Sequence, residues 1–110
     1  MIEPIRNLSV DVIPQAIVNL SVEKLVGKKA KLSMGYDELD LFTGATFKLD
    51  HTIEIAVRHY QGHPENTTTI YIDSREDNLE RITELVRQIL RELHVPQDAL
   101  RWQRRDNPEL

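Results

Sequence analysis

Between His51 and Leu93 the alternation of apolar and polar positions is regular enough to read directly. His51, Ile53, Ile55, Val57 and His59 fall on one face of an extended chain, and Thr52, Glu54, Ala56, Arg58 and Tyr60 on the other. The first face is aliphatic, so it points to a core. After a polar loop, Gln61–Thr67, a second strand over Thr68–Asp73 presents Ile70 and Ile72 on one side and Thr69, Tyr71 and Asp73 on the other. Matching the two apolar faces sets Val57 opposite either Ile70 or Ile72. A slip of one residue would bury Arg58.

The period then changes. Leu79, Ile82, Val86, Ile89 and Leu93, flanked by Leu85 and Leu90, recur at helical spacing and form a stripe wide enough to lie on a sheet. Ser74 with Asp77 three residues on reads as an N-cap and capping box, and Pro96 closes the helix, which the pattern places over residues 75–94. Acidic residues crowd its start and Arg87 and Arg91 come later, the order the helix dipole favours.

Elsewhere the pattern is weaker. Leu8, Val10 and Val12 alternate, as do Ala16, Val18 and Leu20, with Pro14-Gln15 between them. This predicts either two short strands followed by a helix Val22–Val26 capped by Ser21 and ended by Gly27, or one helix running from Pro14 to Val26. Lys28–Ser33 alternates lysine with Ala30 and Leu32, the mark of a charged edge strand. Thr43–Leu49 alternates as a hairpin partner for the His51–Tyr60 strand, with Asp50 in the turn. Ala99–Arg104 reads as a closing strand that buries Trp102, a short helix being the alternative. The expected architecture is α+β: an antiparallel sheet of about five strands, one long helix on one face, a single domain over 1–110, and flexible ends at 1–7 and 106–110.

Composition narrows the function classes. The chain has 110 residues, few enough for one core, and with 40% hydrophobic and 29% charged residues it is neither disordered nor fibrous. It has no cysteine, hence no disulfide, thiolate nucleophile or cysteine-bound zinc. No apolar run is long enough to span a bilayer and no signal-peptide pattern opens the chain, so a cytoplasmic protein is expected. A net charge of −4 offers no general attraction to nucleic acid.

Candidate chemistry is sparse. His51 and His59 would lie about 26 Å apart along one strand, too far to share an ion. His59 and His63 lack a specified third ligand, and the acidic cluster Asp37, Glu38, Asp40 lacks calcium-loop spacing. The four serines have no nucleophile elbow and Gly27-Lys28 is no phosphate loop, so no cofactor is expected. Arg101-Trp102-Gln103-Arg104-Arg105 has the composition of a nucleic-acid contact, and would need Lys28–Lys31 beside it. The more informative constellation is Arg58, Tyr60 and Tyr71, with His59 adjacent: an arginine able to stack on tyrosine on the sheet face away from the helix. The leading expectation is a non-enzymatic interaction module, a homo-oligomer or the accessory partner of another protein, that associates through its sheet. The alternative is a small-molecule binder or enzyme with a pocket around Arg58, Tyr60, Tyr71 and His59.

Overall fold

The computed structural model describes residues 1–36 and 40–104. Seven strands, β1 (Ile2–Ile5), β2 (Val12–Val18), β3 (Ser33–Tyr36), β4 (Leu41–Leu49), β5 (Ile53–Tyr60), β6 (Thr68–Asp73) and β7 (Leu100–Gln103), form one antiparallel sheet. A short helix, α1 (Val22–Val26), follows β2, and the long helix α2 (Leu79–Glu92) follows β6. The strand order is β1-β4-β5-β6-β2-β7, and β3 pairs with the half of β4 that β1 leaves free. The fold is α+β as expected, with seven strands in place of about five.

The aliphatic stripe of α2 meets the sheet. Ile82, Leu85, Val86, Ile89 and Leu90 are fully buried in one cluster with Phe47, Leu49, Ile55, Val57, Ile70 and Ile72. At about 1.5–3 kcal/mol for each aliphatic side chain, this layer is the main gross stabilisation of the fold. Val57 pairs with Ile70, which settles the register between β5 and β6.

Several boundaries differ from the sequence reading. Ser74 does not cap α2: its N–H donates to Asp11 O at 2.8 Å, and the Asp73 carboxylate takes the Arg75 N–H at 3.0 Å, closing a local turn. Asn78 caps instead, its side chain accepting from the Arg81 N–H at 3.0 Å. The helix ends before Pro96. His94 adopts φ 58°, His94 N–H donates to Arg91 O and Val95 N–H to Leu90 O, a Schellman closure with histidine in the place glycine usually takes. His51 likewise leaves the strand face for the β4–β5 turn, where Asp50 and His51 both have positive φ.

The stretch from Pro14 to Val26 resolves into strand then helix. β2 runs through Pro14 because a bulge between Pro14 and Ala16 accommodates it, and α1 is capped by Ser21 and closed by Gly27 at φ 57°. Lys28–Leu32 is not a strand; the edge strand begins at Ser33. At the other end, residues expected to be flexible supply β1, which pairs with Thr46–Leu49. Trp102 is not core but 44% exposed. A register shift sets Leu100 opposite Val18 and Trp102 opposite Ile17, so the strand's alternation is broken and Trp102 turns to the face away from α2. The expected end at 106–110, and Asp37 and Glu38 of the acidic cluster, lie outside the described residues. Among the described residues no helix is long and apolar enough to cross a membrane.

Candidate functional site

The face away from α2 is built by the residues between the core positions. Phe42, Gly44 and Thr46 come from β4, Glu54, Ala56, Arg58 and Tyr60 from β5, and Thr69, Tyr71 and Asp73 from β6. Tyr71 stands opposite Ala56 and Arg58 opposite Thr69, so arginine reaches tyrosine along the diagonal, over the small alanine. On its other side Arg58 faces Gly44, where a Cβ would come within 3.1 Å of Arg58 Cγ; the glycine leaves the arginine stem its path toward Phe42.

The result is a sandwich. The guanidinium carbon of Arg58 lies 4.5 Å from the Phe42 ring centre and 4.9 Å from that of Tyr71. Its Nη1 donates to Tyr60 Oη at 3.3 Å. Tyr60 in turn packs against Phe42 at 5.3 Å and His63 at 5.6 Å between ring centres, and is only 3% exposed. Cation–π contacts of this kind contribute about 0.5–1 kcal/mol each where partly solvated, and the cation makes two of them. The space beside Arg58 is therefore filled by rings.

His59 does not join this group. It follows Arg58 in the strand and so points to the opposite side, where its Nδ1–H donates to Thr67 O at 2.8 Å. A cleft of about 540 Å³ opens beside it, bordered by Met34, Leu41, Thr43 and His63 among others. Among the described residues no group of three or more histidines or carboxylates is placed to hold a metal ion.

Sequence reasoning set Glu54 and Asp73 on this same sheet face but missed the partners, Ser9 and Arg75, that shut it at its other end. The chain between β1 and β2 has to pass from one side of the sheet to the other, and crosses at Glu54. Ser9 N–H donates to Glu54 Oε1 at 2.6 Å and Ser9 Oγ to Oε2. Those two donors, the hydroxyl first, hold the Glu54 carboxyl below its ordinary range. Asp73 is 2% exposed and accepts Arg75 Nη2 at 2.6 Å and Nε at 3.0 Å, a bidentate pair that lowers its pKa. The Asp73 turn had a sequence signal, an aspartate able to bond the amide two residues on; the Ser9 contact had none. This helix-free face is thus largely closed by its own chain, and not the open surface that a one-helix layer suggests.

The basic segments do not meet. Arg101 and Arg104 flank the outer edge beside β2, whereas Lys28–Lys31 lead into β3 at the other end of the strand order. No family model matches the chain, and no curated protein or solved structure matches it either.

Proposed function

We propose that the chain is a non-enzymatic interaction module that self-associates through its sheet, and that the contact lies at the sheet's edges. One observation carries this reading. Among the described residues, apart from Met1, the exposed large apolar side chains are Met34 (74%), Tyr36 (77%), Leu41 (39%) and Trp102 (44%). Met34 and Tyr36 lie on β3, Leu41 opposite Tyr36 on β4, and Trp102 on β7. Apolar groups gathered along unpaired strand edges are what a sheet offers to another chain. The Arg58 sandwich, filled from both sides, rigidifies the face behind those edges. The absence of cysteine is compatible with a reducing compartment, and we place the module in the cytoplasm.

Static light scattering over a concentration series tests the reading. A mass that rises above one chain is expected, and it falls back when Ser replaces the apolar residue of whichever edge makes the contact, Tyr36 on β3 or Trp102 on β7; a single-chain mass throughout overturns it.

A second reading, small-molecule binding, is favoured by the cleft beside His59, whose volume of about 540 Å³ falls in the range of ligand pockets. It keeps His59 of the residues first singled out, and not Arg58, Tyr60 or Tyr71. Thermal-shift screening of a fragment library against wild type and Thr43→Trp, which fills the cleft, separates the cases. Hits lost on filling support binding there; shifts equal in both proteins count against it.

A further inference from the structure

The two edges are not equivalent, and the difference identifies an occupant. β7 carries Arg101 and is followed by Arg104, so two copies meeting there would set arginine against arginine. β3 is Ser-Met-Gly-Tyr, with no charge and no proline, the devices by which edge strands usually repel one another. In sequence it is bracketed by Lys28, Lys29 and Lys31 before it and Asp37, Glu38 and Asp40 after it.

The direction of its backbone groups follows from the ladder. Leu41 O accepts from the Gln61 N–H at 2.9 Å, so Leu41 turns its carbonyl toward β5, while its N–H donates to Asp40 Oδ1 at 2.7 Å. Strand residues alternate, so Phe42 turns toward β3 and bonds Gly35, its register partner. Met34 and Tyr36 therefore direct N–H and C=O outward, where among the described residues no strand pairs with them.

Resting on the self-association reading, we infer that a second copy of this chain pairs with β3 in antiparallel fashion about a two-fold axis at Gly35, continuing the sheet from one copy into the next. Met34 of each copy then exchanges both backbone bonds with Tyr36 of the other. Their side chains, the two most exposed large apolar groups among the described residues, lie on one face of the strand and cover each other as sulfur–aromatic pairs. Gly35 brings no side chain to the axis. The Phe42 ring occupies the space that a Cβ on Gly35 would need. Antiparallel pairing also runs Lys28, Lys29 and Lys31 of each copy toward the Asp40 end of the other, and a two-fold axis repeats that match. The interface is self-complementary in charge at β3 and self-repelling at β7.

Met34→Pro is the discriminating variant. It removes an outward N–H that no strand among the described residues uses, which an edge strand tolerates, and breaks the inter-copy ladder. Sedimentation velocity on wild type, Met34→Pro and Trp102→Ser, each first checked for a cooperative melt, reads the result. Wild type dimerises, more weakly as salt is raised; Met34→Pro dissociates about tenfold more readily, and Trp102→Ser is unchanged. Should Met34→Pro fail to fold, Met34→Lys, at a site already 74% exposed, is read in its place with the same expectation. A dimer abolished by Trp102→Ser and indifferent to position 34 overturns the β3 pairing and leaves self-association standing. A monomeric wild type overturns both.

Discussion

At the scale of single residues, the polar interior among the described residues divides into groups with partners and one without. Gln15, at the β2 bulge, is fully buried and neither its amide nitrogen nor its oxygen has a hydrogen-bond partner. An enclosed, unpaired amide costs about 1–3 kcal/mol. Gln15→Leu, similar in volume and free of that cost, is expected to raise the urea midpoint; a lowered midpoint would mean the amide is satisfied in solution. Glu54 and Asp73 are the opposite case. Both have folded pKa values below the ordinary 4.5 and 3.8, so the unfolded chain binds their protons more readily. Their stabilisation is fully present above those ordinary values and is lost as pH falls through the lower folded ones. Urea denaturation should therefore show a plateau in stability above about pH 5 and a decline below about 4.5. Ser9→Ala, which removes the largest cause of the Glu54 shift, should make that decline shallower. An acid limb unchanged by Ser9→Ala would contradict the assignment.

At the scale of elements, how much could be read depends on whether a local signal and the tertiary one agree. The α2 stripe and the β4–β5 and β5–β6 pairings were legible because each has an aliphatic period with only one face to bury. The start of α2 was not. Ser74 and Asp77 have the right chemistry at the right spacing, but the buried Asp73 takes the local amide and Asn78 caps the helix instead. Asn78→Ala should thus cost about 1 kcal/mol and Ser74→Ala close to nothing, measured by chemical denaturation; the reverse order would place the cap at Ser74. The stripe itself is tested by Ile82→Asp, which puts a carboxylate against the sheet at a site 1% exposed and is expected to abolish the cooperative melt. A soluble variant that still melts cooperatively would mean the helix is not docked there. β1 and β3 were illegible for a different reason: Ile-Glu-Pro-Ile and Ser-Met-Gly-Tyr are short and lack alternation, and only their pairing with β4 makes them strands. Trp102 was misread because a single register shift reverses which face a residue takes. The Arg58–Tyr71 contact was anticipated, although in the register that forms it is diagonal.

At the scale of the molecule, α2 closes one face of the sheet, while Ser9, Arg75 and the Arg58 sandwich close much of the other. What remains for company is the perimeter, where β3 presents an uncharged edge between a basic and an acidic run of sequence. Sedimentation equilibrium of the unmodified chain tests this most directly. A sheet that joins copies gives a weight-average mass that climbs with concentration from 12.8 kDa toward twice that value; a mass fixed at 12.8 kDa up to the highest soluble concentration contradicts it.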